Sequence, residues 1–166
     1  MAKFILIRST INSGKTTTAS LVYTELLQHA EIEHMFNSEQ IKVNGLIYRE
    51  DGTVEDFNAA LTINGKTVCI LSAGDNANDT KRELNWLLRD YNFDIIICCS
   101  RSQNKTGSVY RMLIEEYFTK HELILETSTN YTHDTNEMHS VKKDIVDDIV
   151  KKVLSEVNDT QIVIEN

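Results

Sequence analysis

Ser9-Thr10-Ile11-Asn12-Ser13-Gly14-Lys15-Thr16 sets a glycine, a lysine and a hydroxyl in the order that phosphate chemistry uses. A loop of this kind between a strand and a helix turns its backbone N–H groups inward. They form a nest for phosphate oxygens at the positive end of the helix. Gly14 permits close approach of the backbone, Lys15 reaches the β- and γ-phosphates, and the Thr16 hydroxyl ligates Mg²⁺.

Further groups are expected at the same edge. Arg101 follows the apolar strand expected at 94–100, and in α/β sheets ligands sit beyond the carboxyl ends of strands. It is placed to bind the phosphate or carboxylate of an acceptor, or to stabilise charge during transfer. Arg111, Lys105 and Arg82 are weaker candidates, because exposed cations on loops and helices are mostly solvated. Glu50, Asp51, Glu55 and Asp56 form an acidic cluster. It offers a kinase a carboxylate near its acceptor, and surface turns explain the same residues equally well.

These groups need elements to hold them. Residues 4–7 form a short continuous apolar run, as in a strand buried on both faces, and a helical pattern follows the loop through Leu21, Val22, Leu26, Leu27 and Ala30. Residues 31–42 are polar and carry no clear period. A strand is expected at 45–48, then a turn at Asp51-Gly52. The runs 59–63 and 67–71 flank Asn64-Gly65-Lys66, a strong signal for an antiparallel hairpin. Thr80 and Glu83 have capping-box spacing ahead of a helical face made by Leu84, Leu87, Leu88 and Tyr91, beside which Trp86 packs. A strand at 94–100 precedes a helix over 108–118, with Val109, Met112, Leu113 and Tyr117 inward, and a short strand at 123–125. The stretch 137–157 is an amphipathic helix, apolar at Val141, Ile145, Val146, Ile149, Val150, Val153, Leu154 and Val157. Strands alternating with helices imply an α/β sandwich with a mainly parallel sheet.

The composition narrows the partners. At 166 residues, with 41% apolar and 25% charged, the chain is sized and composed for one domain without linkers or repeats. A net charge of −8 and no basic stripe argue against extended nucleic acid. The opening apolar run is too short for a signal peptide or a membrane helix, so a cytoplasmic protein without a membrane partner is expected. Cys98 and Cys99 are adjacent and point to opposite faces of a strand, which excludes joint chelation of one metal. With Cys69 they read as small core residues in a reducing compartment.

Residues 4–18 resemble the Walker A element of the P-loop nucleoside triphosphate hydrolase superfamily, with Ser9 at the position of the first glycine. The resemblance implies a three-layer α/β/α sandwich over 1–166. It also implies nucleotide contacts from Ser9, Thr10, Ile11, Asn12, Ser13, Gly14, Lys15, Thr16 and Thr17. Ser72-Ala73-Gly74-Asp75 is similar to the D-T-A-G-Q segment of small GTPases, with Leu71 at the position of its Asp. On that likeness the Gly74 N–H meets the γ-phosphate, and Asp75 orients water or holds the metal. A guanine-reading N-K-x-D is not matched, since Gly107 follows Asn104-Lys105-Thr106. ATP is therefore expected ahead of GTP.

The expected activity is Mg-ATP-dependent hydrolysis or kinase-like phosphoryl transfer to a small-molecule or nucleotide acceptor, with Lys15, Asp75 and Arg101 as catalytic groups. The alternative is a nucleotide-dependent switch or adaptor that hydrolyses slowly and binds a protein partner. A third and weaker expectation is a P-loop fold that has lost its nucleotide.

Overall fold

The apolar run at the start forms β1 (Lys3–Ser9), and the helix beginning at the lysine is α1 (Lys15–Leu27). The computed structural model describes residues 1–9, 14–101, 103–129 and 135–159, with backbone only for 135–141. In it the chain continues as β2 (Ile32–Asn37), β3 (Lys42–Val43), β4 (Phe57–Ile63), β5 (Lys66–Leu71) and α2 (Ala77–Asp90). Then follow β6 (Ile95–Arg101), α3 (Val109–Glu116), β7 (Glu122–Thr129) and α4 (Thr135–Val157). The strands lie in the order β3-β2-β4-β5-β6-β1-β7. β5, β6, β1 and β7 run parallel, while β4, β2 and β3 extend the sheet with antiparallel pairs.

Strand side chains alternate between two cores. Ile5, Ile7, Ile97 and Cys99 join the core that contains Val22 and Leu26 of α1 and Ile149 and Val153 of α4. Phe4, Leu6, Ile96 and Cys98 join the one that contains Leu84 and Leu87 of α2 and Leu113 of α3. The result is an α/β sandwich with helices on both faces. Phe4, Ile5, Leu6 and Ile7 are all fully buried, each contributing roughly 1.5–3 kcal/mol through removal from water. The three thiols are buried and free, divided between the two cores as their alternation requires. Trp86 packs edge-on against Phe36 at 5.0 Å. No helix among the described residues is long and apolar enough to cross a membrane.

The Asn64-Gly65 hairpin forms as expected. Both residues have positive φ, 51° and 76°, the backbone that joins twisted antiparallel strands in a two-residue turn. The pairing then runs from Ile63 opposite Lys66 to Asn58 opposite Leu71.

Four local expectations need correction. Residues 32–37, which showed no period, form β2, where only Met35 and Phe36 are buried. The segment 45–48 is not a strand of the sheet. Leu46 packs against the core from a loop, and Tyr48 makes an isolated bridge to Val54. Leu21 is 41% exposed, because α1 turns Ala19, Val22, Tyr23 and Leu26 inward instead. Finally, α2 begins a turn before the expected capping box. The Asn76 side chain caps it by accepting from the Asp79 N–H, and Thr80 and Glu83 lie within the helix, both buried. The Val141 side chain and residues 160–166 lie outside what is described.

Glu83 gives a testable pH dependence. Burial pushes its carboxyl up to about 7, the Asn58 amide draws it partly back, and the negative charge of Asp56 adds to the rise. Among the described residues, neither Asn58 amide atom nor Glu83 Oε2 has a well-aligned hydrogen-bond partner. The folded protein thus holds a proton that the unfolded chain releases near 4.5. Its favourable contribution is complete below that value and declines as pH rises to about 7, by about 3 kcal/mol at 1.36 kcal/mol per unit. Glu83→Gln keeps the shape without the titration. Urea unfolding at pH 5 and pH 8 should show the variant losing about 3 kcal/mol less than the wild type across that range. Equal losses would show that Glu83 titrates normally.

Candidate functional site

β1 delivers the chain to the edge where the parallel strands end, and α1 begins there. Ser9, the last residue of β1, is extended and pairs with Arg101 at the end of β6. It therefore has no need of the conformational freedom of glycine. Its hydroxyl is buried and has no hydrogen-bond partner among the described residues. Gly14 has φ 84° and ψ 31°, the left-handed backbone that favours glycine, and its carbonyl accepts the first helical bond from the Thr18 N–H at 2.8 Å. A glycine has no side chain with which to cap the helix, so the first-turn N–H groups of α1 remain suited to an anion. Thr10, Ile11, Asn12 and Ser13 lie outside the described residues.

Lys15 is largely buried, and its Nζ lies 2.6 Å from Asp75 Oδ1. Arg101 donates from Nε to the same oxygen at 3.0 Å. The sheet order shows how Asp75 gets there. β6 separates β5 from β1, so the segment after β5 must cross the end of β6 to reach α1. Gly74 makes that crossing: a Cβ on it would sit 2.2 Å from the Cys99 carbonyl oxygen. Gly74→Ala should therefore destabilise the protein by about 1–3 kcal/mol, the usual cost of overpacking. A thermal melt checks this, and an unchanged midpoint would show that the crossing relaxes freely.

Partial burial pushes the Asp75 carboxyl up, but the hydrogen bonds from Lys15 and then Arg101, with their charges, outweigh it and hold the group below the usual carboxylate range. Asp75 remains a carboxylate at neutral pH, engaged by two cations. It was expected as a metal ligand beside Thr16, and it does not hydrogen-bond Thr16.

Asp56 is the carboxylate that meets Thr16. The Thr16 hydroxyl donates to Asp56 Oδ1 at 2.8 Å. The hairpin explains the meeting: counted back from Asn64-Gly65, the antiparallel register sets the start of β4 beside the end of β5. There the Ser72 N–H donates to the Phe57 carbonyl at 3.1 Å, and the Phe57 N–H donates to Ser72 Oγ at 2.8 Å. The Ser72 hydroxyl in turn donates to Asp56 Oδ1 at 3.4 Å. Among the described residues no cluster of three or more His, Cys, Asp or Glu could hold a metal unaided. A hydroxyl and one carboxylate do suit Mg²⁺, which keeps several waters and takes the rest of its shell from substrate phosphates.

Gly14, Lys15, Thr16, Thr17, Asp56 and Asp75 line one cavity of about 400 Å³, with Arg49, Thr53 and Val54 completing it. The structure thus brings Lys15, Thr16, Asp75 and Arg101 together and selects Asp56 from the acidic cluster. Asp51 instead holds its own turn, accepting from the Thr53 N–H at 2.9 Å. Arg82 and Arg111 are paired along their helices with Asp79 and Glu115. Arg49 was not singled out by its sequence. The adjacent Asp51-Gly52 turn was the available signal, because it folds the chain back toward Asp56.

Compared with family models, with curated proteins and with solved structures, the chain matches none.

Proposed function

We propose that the chain binds a nucleoside triphosphate with Mg²⁺ at the N-terminus of α1, ATP ahead of GTP, and catalyses hydrolysis or phosphoryl transfer to a small acceptor. The observation that carries this reading is the Thr16–Asp56 hydrogen bond next to Lys15, at the start of a helix entered through a left-handed glycine. Magnesium, when bound with the nucleotide, supplies neutralisation of charge shared between the terminal phosphates. Thr16 and Asp56 would hold it. Lys15 would leave Asp75 for the phosphate oxygens, and the α1 N–H groups would bind the same anion. Arg101, which Asp75 holds at the same edge, would stabilise charge that grows during transfer. A cytoplasmic site suits the three buried, unoxidised thiols.

The bridge from Lys15 through Asp75 to Arg101 also favours the second reading, a nucleotide-dependent switch. A phosphate that takes Lys15 leaves Asp75 held by Arg101 alone, which would loosen the segment that leads directly into α2. Calorimetric titration of the full chain with ATP, GTP and a non-hydrolysable ATP analogue, with and without Mg²⁺, tests the binding itself. Phosphate release then separates the two readings. Many turnovers, accelerated by an acceptor, mark an enzyme, and stoichiometric binding with slow hydrolysis marks a switch. Absence of nucleotide binding would leave the P-loop as architecture alone.

A further inference from the structure

We propose that the small hairpin at 47–55 forms an anion subsite in the same cavity, with Arg49 as its recognition group, and that the second substrate carries a phosphate or carboxylate. The proposal rests on the nucleotide reading and extends it to the acceptor. The hairpin is tightly stitched: the Arg49 N–H donates to the Thr53 carbonyl at 2.7 Å, the Gly52 N–H to the Arg49 carbonyl at 2.9 Å, and the Glu55 N–H to the Ile47 carbonyl at 2.8 Å. Arg49 folds back over it, donating from Nη1 to the Val54 carbonyl at 3.0 Å and to Thr53 Oγ1 at 3.4 Å. This anchors one corner of the guanidinium and leaves its other N–H donors uncommitted.

The nearest acid, Asp51, feels the charge of Arg49 but spends its oxygen on the turn and not on the guanidinium. Asp51 Oδ1 accepts from the Thr53 hydroxyl at 2.6 Å as well as from the Thr53 N–H, and Arg49 makes no ion pair among the described residues. Lys15, the other cation lining the cavity, is already matched by Asp75. Of the two cations lining the cavity, Arg49 is thus the one held in no ion pair among the described residues, presented as a planar fork that suits a carboxylate or phosphate. It comes from the β3–β4 connection and not from α1. An anion bound there lies in the nucleotide's cavity without using the Lys15–Thr16 corner, which is the arrangement that transfer between two bound substrates requires.

The experiment saturates the full chain with Mg²⁺ and a non-hydrolysable ATP analogue, then titrates inorganic phosphate or malonate calorimetrically. The expected result is a second binding event that Arg49→Ala weakens at least tenfold, that Arg49→Lys restores only in part, and that leaves analogue affinity within twofold of wild type. The tighter of the two probes names the acceptor's anionic group. No second event, or an Arg49→Ala variant that loses the analogue itself, would overturn the subsite. If the analogue fails to bind the wild type, the nucleotide reading falls separately. Phosphate titration of the free chain then decides the subsite, since binding sensitive to Arg49→Ala but not to Lys15→Ala upholds it and any other pattern removes it.

Discussion

Lys15→Ala should weaken Mg-ATP binding at least tenfold, roughly 1.4 kcal/mol, and lower turnover about 10³-fold. The larger effect on turnover follows from where the charge acts. Lys15 Nζ is held in a largely buried position at the start of α1, so once it has left Asp75 its charge acts on a phosphoryl group with little screening by water. Charge that builds on the transferring group is stabilised more than charge already present in the bound nucleotide. Asp75→Asn supplies a contrast of opposite sign. In the free protein Asp75 competes with phosphate for Lys15, so neutralising it should tighten the nucleotide several-fold. Calorimetry of the three proteins checks both directions. Equal affinity of wild type and Lys15→Ala would remove the lysine from the mechanism, and weaker binding by Asp75→Asn would make Asp75 a contributor instead of a competitor.

The parts of this arrangement that were legible in the sequence are those written in short-range patterns. Continuous apolar runs marked β1, β5 and β6, because strands covered on both faces need no polar alternation. Asn64-Gly65 identified its hairpin, and Gly14-Lys15-Thr16 announced the start of α1. What escaped depends on register and sheet order. β2 mixes Ile32, Met35 and Phe36 with Glu33, His34 and Asn37 without alternation, so no period betrayed it, and its pairing with β4 is what makes it a strand. Asp56 stood undifferentiated among Glu50, Asp51 and Glu55 until the hairpin register set it beside Ser72 and so near Thr16. The same count from Asn64-Gly65 was available in the sequence. Its value was hidden because the position of β5 relative to β1 is a property of the whole sheet. The likeness of 72–75 to a GTPase segment drew attention to Asp75, which the structure places against Lys15 and Arg101. It did not reveal that β6 intervenes, which turns Asp75 toward Lys15 and gives Gly74 a packing reason to be glycine.

The second large effect concerns that carboxylate. Asp56→Asn should abolish the Mg²⁺ enhancement of ATP binding and lower turnover about 10²-fold, within the range mutagenesis assigns to a single electrostatic group. The substitution is nearly isosteric, and the amide oxygen of asparagine can still accept from the Thr16 hydroxyl, so the fold and the start of α1 should persist. What disappears is negative charge. Mg²⁺ is a hard cation that relies on carboxylate and phosphate oxygens, and a neutral amide oxygen is a poor substitute. The comparison therefore lies in the ratio of affinities with and without Mg²⁺. Wild type should bind ATP at least tenfold tighter with the metal, and the variant less than twofold tighter. Melting points recorded alongside guard against a merely unfolded variant. If Asp56→Asn retains the full Mg²⁺ ratio while Asp75→Asn loses it, the metal belongs to Asp75. The Thr16–Asp56 bond would then be a clasp between α1 and the hairpin.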